Sequence, residues 1–209
     1  MTARDDVLGA FRPALADVPG DEPPTAEPGG YDVSLPGDRE SAVRLFCERV
    51  DAYRATVRRV ARDDLARVVA TTLADRGIHS LAVPPGVPAE WLPESVDVTR
   101  DDGELGSARL DQIDGVVTGA ALGIALTGTI VLDAGPDQGR RLLSLVPDYH
   151  LCVVGADAVV GTVPEAMARL GAERPLTLIS GPSATSDIEL DRIEGVHGPR
   201  TLDVLLIDA

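Results

Sequence analysis

The sequence predicts an α/β fold: a Rossmann-like, mostly parallel sheet with helices on both faces. Three observations carry this. Short apolar runs recur along the second half of the chain, at 79–83 (HSLAV), 95–99 (SVDVT), 114–118 (DGVVT), 129–133 (TIVLD), 149–154 (YHLCVV), 175–180 (PLTLIS) and 202–207 (LDVLLI). Helical or turn segments separate most of them, notably 137–146 (DQGRRLLSLV) and 163–170 (VPEAMARL). The runs are continuous rather than alternating, as in strands buried on both faces of a parallel sheet. Hydrophobic residues make up 44% of the chain and aromatics only 3%, so Val, Leu, Ile and Ala fill the core.

The elements before the first run divide the chain. Residues 3–12 form a short helix with Val7, Leu8 and Phe11 on one face. The stretch from Pro19 to Gly37 is rich in proline, glycine and acids and reads as an extended linker. This gives an N-terminal arm and linker over 1–37 and a single domain over 38–209. Residues 38–62 read as one long helix, because Val43, Phe46, Val50, Tyr53, Val57 and Val60 recur at spacings of three and four. That seam either lies on the domain's own sheet or pairs with a second copy in a homodimer. Cys47 sits at its edge. A second helix over 63–76 stops at Gly77, a position for a left-handed cap.

Composition excludes several chemistries. The formal net charge is −15, and all nineteen basic residues are arginine. Without lysine there is no Schiff-base nucleophile and no phosphate-binding loop that ends in Gly-Lys. Without asparagine there is no N-glycosylation acceptor. The acidity disfavours sequence-independent nucleic-acid binding and basic-patch membrane binding. Neither a signal-peptide run nor about 18 uninterrupted apolar residues occurs, so the expected location is the cytoplasm.

Ligands of open α/β sheets bind beyond the carboxyl ends of strands, and three such segments are rich in small polar residues. The first runs from Thr118 and Gly119 to Thr127, Gly128 and Thr129. Its amides and hydroxyls suit a phosphate or carboxylate, unless the glycines only make tight turns. In the second, Asp137 caps a helix that carries Arg140 and Arg141 in its first turns, as an anion fork or as solvated surface charges. The third holds Gly181, Ser183, Thr185, Asp187 and Glu189, with His197 following in GVHGP. Gly181, Ser183 and Thr185 suit an anion; Asp187, Glu189 and His197 suit acid–base catalysis if the fold assembles them. The alternative is a loop in which these side chains cap backbone amides.

His79 and His150 lie at strand starts and read as structural. The three histidines form no metal motif, and no metal site is expected. Cys47 and Cys152 are too few for an iron–sulfur cluster with four ligands, and the GxGxxG dinucleotide fingerprint is absent. No cofactor is therefore expected in this chain.

Four segments carry a family resemblance. They are DGVVTG from Asp114 with TGTIVLD from Thr127, LVPDYHLCVV from Leu145, ISGPSATSDIE from Ile179, and GVHGP from Gly195. In motif, order and spacing the chain resembles the LutC/YkgG-type LUD-domain family of lactate utilization proteins, from about residue 38 onward. The resemblance implies a fold similar to the group of ribose-phosphate isomerase, glucosamine-phosphate deaminase and CoA-transferase. It also implies a role in oxidising L-lactate to pyruvate beside iron–sulfur partner proteins. One departure stands out: relatives usually read AETGT, where this chain has Leu126 before Thr127.

Three functions follow as expectations. The first is a non-redox component of a lactate-oxidising system, its electrons passing through the partners. The second is an isomerase- or transferase-like enzyme on a phosphorylated or carboxylated metabolite. The third is a ligand-sensing or scaffold module, which Leu126 favours. In each, an anion would be held by arginine, hydroxyls or amides. Arg140, Arg141 and Arg200 are the arginines nearest the acidic strand-end loops.

Overall fold

The computed structural model describes residues 3–14, 32–171, 174–186, 192–194 and 198–208, without the side chains of 3, 6, 12, 14, 184–186 and 192–194. The chain divides into two compact units, 1–32 and 33–209. In the first, helix α1 (Ala3–Ala14) leaves Val7, Leu8 and Phe11 exposed on one face.

The second unit begins at Val33. The Val33 carbonyl accepts from Thr162 Oγ1 at 2.9 Å, and Leu35 packs on the core. Helix α2 (Arg39–Ala52) starts at Asp38, whose carboxylate accepts from the Ser41 amide at 2.9 Å. Val43, Phe46 and Val50 bury its inner face against the unit's own core. These three residues of the seam therefore pack on the chain's own core.

The helix ends well before residue 62. The chain turns through Arg54, at φ 66°, into strand β1 (Thr56–Val60). Val57 packs on the α2 side of the sheet and Val60 on the other. Two apolar residues three apart mark one face of a helix, but opposite faces of a strand covered on both sides. The β-branched Thr56, Val57 and Val60 favour the strand.

Helix α3 (Leu65–Asp75) closes as expected at Gly77, φ +67°. The Gly77 amide donates to Ala74 and that of Ile78 to Leu73, the two bonds of a Schellman cap, and Ile78 and Leu73 share a hydrophobic cluster.

Strands β2 (Ser80–Val83), β3 (Asp97–Arg100), β4 (Gly115–Thr118), β7 (Tyr149–Gly155) and β12 (Thr201–Ile207) join β1 in a six-stranded sheet. Its order is β1-β12-β7-β4-β2-β3, and every pairing is parallel. A short helix, α4 (Ser107–Leu110), precedes β4. Helix α3 covers one face. The other carries α2 and a second sheet, ordered β8-β5-β6-β9. That sheet comprises β5 (Leu122–Ile124), β6 (Thr129–Leu132), β8 (Val159–Val160) and β9 (Thr177–Ile179), and β6 is antiparallel to both neighbours. Strands β10 (Ala184–Ser186) and β11 (Arg192–Glu194) form a hairpin.

Two expectations need correction. The TIVL and TLI runs join the second sheet rather than the parallel one. Residues 137–146 are a succession of turns and not a helix. Gly139 there takes φ +68°, which breaks helical continuity. By contrast, α5 (Val163–Arg169) forms as expected behind a capping box of Thr162 and Glu165. Among the described residues no helix is long and apolar enough to cross a membrane.

Candidate functional site

Strand β4 ends at Thr118, which is fully buried. Its hydroxyl lies 2.8 Å from His150 Nε2 and 3.7 Å from Cys152 Sγ, both on β7. The Cys152 thiol in turn donates to the Gly119 carbonyl at 3.5 Å. Positions 150 and 152 share one face of β7, turned toward the second sheet. Burial lowers the His150 pKa to about 4 and pushes the Cys152 thiol up to about 12. His150 is therefore neutral at pH 7, and its buried Nδ1 has no hydrogen-bond partner among the described residues.

The hydroxyls of the TGT segment join those of the serine loop. Thr127 Oγ1 lies 2.7 Å from Thr129 Oγ1, which lies 2.9 Å from Ser180 Oγ. The Ser183 amide donates to the Pro199 carbonyl at 2.8 Å, which ties this loop to the end of GVHGP. The neighbouring glycines serve packing within the chain. At Gly128 (φ +59°) a Cβ would meet the Arg49 backbone of α2 at 2.8 Å, and at Gly181 (φ +84°) it would meet Tyr53 Cβ at 2.7 Å. At Gly119 it would meet the Asp137 carboxylate at 2.0 Å. Thr185 lies on β10 with its side chain outside the described residues. Asp187, Glu189 and His197 also lie outside them.

Adjacent arginines have different surroundings. Arg140 forks onto the buried Asp101 carboxylate at 2.7 and 3.0 Å and donates to the Leu105 carbonyl, so its guanidinium ties the turns to the end of β3. The Asp101 pKa falls below the ordinary carboxylate range: desolvation works to raise it, but Arg140 and the Gly103 amide outweigh that. Arg141 makes no ion pair among the described residues and lines a cavity of about 340 Å³. Arg200 pairs with Asp148 at 3.5 Å, at the amino end of β7.

That cavity lies between the start of β7 and β12 and the end of β9. His150, Ser144, Ser180 and Ser183 bring polar groups to it, and Leu145, Ile179 and Leu202 bring apolar ones. It thus gathers Gly181 and Ser183 from the expected residues but not Thr118, Gly119 or Arg140. It does not sit beyond the carboxyl ends of the parallel strands, because the second sheet supplies one wall. His150 was legible only as a structural residue. A lone polar side chain on the inward face of an otherwise apolar strand was the available signal. A larger cavity, about 470 Å³, lies at the amino ends of the parallel strands. Its Arg76 and Arg200 are paired with Asp203 and Asp148, and its Asp114 accepts from the His79 and Ser80 amides. Among the described residues no cluster of three His, Cys, Asp or Glu side chains could hold a metal.

The fold and cleft define an α/β protein with a parallel sheet, a second mixed sheet and a small polar pocket between them. The chain belongs to the LUD domain family, whose profile matches residues 42–207. It is 44% identical to lactate utilization protein C of Deinococcus radiodurans over 98% of this chain and 95% of that protein. The Bacillus subtilis protein of the same name is 30% identical over 56% of this chain and 53% of its own length. A crystal structure of a DUF162 family protein from Deinococcus radiodurans superposes with a TM-score of 0.72 at 41% identity, covering 82% of this chain and 99% of that one.

Proposed function

We propose that this protein acts in L-lactate utilization, as a non-redox component of the oxidation of lactate to pyruvate beside iron–sulfur partner proteins. The carrying observation is the 44% identity, over nearly the full length of both chains, to a protein named for lactate utilization. The distribution of thiols supports the division of labour. Cys47 lies on α2 and Cys152 is buried in β7, so this chain offers fewer thiolates than a four-ligand cluster takes. The electrons of lactate oxidation then pass through other subunits.

Deleting the gene is expected to abolish or slow growth on L-lactate while leaving growth on glucose unchanged, and wild-type protein expressed in trans restores it. Unimpaired growth of the deletion strain on lactate overturns the reading. Co-purification of iron–sulfur proteins from lactate-grown cells tests the partner assignment separately.

A further inference from the structure

We propose that the cavity between β7, β9 and β12 binds a small 2-hydroxycarboxylate as a monoanion. The Arg141 guanidinium takes the carboxylate, and His150 Nδ1 accepts a hydrogen bond from the hydroxyl. This deepens the lactate reading and rests on it only for the choice of L-lactate as probe.

The charge distribution is the first ground. The chain carries a net charge of −15, yet among the described residues lining this cavity Arg141 is the only charged side chain. Arg140 beside it is consumed by Asp101, whereas Arg141 is left with no ion pair among the described residues. A guanidinium without an ion pair at the rim of a cleft that no described acid lines suits an anion, and its planar fork matches a carboxylate.

The second ground is the orphaned atom of His150. Its Nε2 is committed to Thr118, which leaves Nδ1 buried and without a partner among the described residues. The hydrogen-bond network assigns the tautomer. With the proton on Nε2, that nitrogen donates to Thr118 Oγ1, Thr118 donates to Cys152 Sγ, and Cys152 donates to the Gly119 carbonyl. Every proton of this network then has an acceptor, and a lone pair on Nδ1 is left unsatisfied among the described residues. The opposite tautomer would bury an N–H without an acceptor, which is the costlier defect. His150 lines the cavity, and an unsatisfied acceptor on its ring calls for a ligand donor, which a hydroxyl next to the carboxylate supplies.

Charge balance and size narrow the class. Because His150 is neutral at pH 7, one guanidinium faces the ligand and balances a single negative charge. A phosphate dianion would leave a charge uncompensated. A volume of about 340 Å³ lies at the small end of ligand sites, and Leu145, Ile179 and Leu202 offer an apolar wall for a short alkyl group.

Calorimetric titration of the purified full-length protein tests this without partners. L-Lactate is expected to bind with one site per chain. Propionate, which lacks the hydroxyl, and inorganic phosphate are each expected to bind at least about ten-fold more weakly. Arg141→Gln is expected to weaken lactate at least about ten-fold with an unchanged melting temperature. On the wild-type protein, the imidazole nitrogen resonance of His150 Nδ1 is expected to move upfield with lactate and to stay in place with propionate. This readout needs no histidine variant that might misfold. The proposal is overturned by propionate or phosphate binding as well as lactate, by undiminished binding to Arg141→Gln, by a stationary Nδ1 resonance, or by no binding up to on the order of 10 mM. A lactate-growth defect without binding rejects this site and spares the functional reading. Binding without a growth defect does the reverse.

Discussion

His150 Nε2 and Thr118 Oγ1 face each other at 2.8 Å across two neighbouring parallel strands, both residues fully buried. The pair fixes the ring, and the surrounding desolvation keeps it uncharged. Burial of this kind has a thermodynamic signature.

The His150 pKa is lowered from 6.5 to about 4 in the folded state. Below about pH 6.5 the unfolded chain therefore binds a proton that the folded chain refuses until about pH 4. The stabilisation is full above pH 6.5 and is lost as the pH falls through that interval, by about 3 kcal/mol in total. Denaturant titrations at several pH values should show this slope in the wild-type protein and a flatter one in His150→Gln. The lowered carboxylates Asp101 and Asp114 act below their ordinary value of 3.8, outside this window.

Asp203 is buried within the parallel sheet, where it accepts from Tyr149 Oη at 2.9 Å and from the Arg76 fork at 2.7 and 2.9 Å. Burial and the neighbouring carboxylate push the Tyr149 pKa well above its usual value. Asp203→Ala leaves a buried phenol without an acceptor, and Arg76 is exposed enough to regain water. Together these predict a loss of about 2 kcal/mol. A urea midpoint shift with an unchanged slope would show it; an unshifted midpoint would refute it.

Gly77 and Gly128 both have positive φ, but their surroundings differ. A Cβ at Gly77 meets nothing within 4 Å, whereas at Gly128 it runs into α2. Gly77→Ala should cost only the left-handed penalty of about 1–2 kcal/mol. Gly128→Ala should cost more, because α2 must also shift. Equal drops in melting temperature would show that the contact with Arg49 carries no weight.

Cys152 is buried, with its thiol pKa raised to about 12. A maleimide at pH 8 should leave it unmodified in the folded protein and label it once urea is added, as the thiolate is the reactive form. Mass mapping of the labelled peptides reads the result.

Leu126, before the TGT segment, is 45% exposed while its amide donates to the Gly161 carbonyl. Leu126→Glu should leave stability within about 0.5 kcal/mol, measurable by thermal melting.

Much of the fold was legible because local physics wrote it into the chain. The apolar runs of β2, β4, β7 and β12, the Gly77 cap, the helix after Thr162 and the seam of Val43, Phe46 and Val50 each follow from neighbours a few residues apart. Misreadings arose where one pattern served two geometries. Val57 and Val60 fit a helix seam or the two faces of a strand, and only pairing with β12 selects the strand.

The sequence by itself determined the α/β class, the family motifs, the absence of lysine and the acidic charge. Tertiary structure decided which strands share a sheet, which of two adjacent arginines is spent on Asp101, and that His150 keeps one nitrogen unpaired among the described residues. Those outcomes depend on contacts between residues far apart in the chain, 32 positions for Thr118 and His150 and 147 (203 − 56) for Thr56 and Asp203. Whether a polar group is satisfied is a property of its enclosure, which no local pattern encodes.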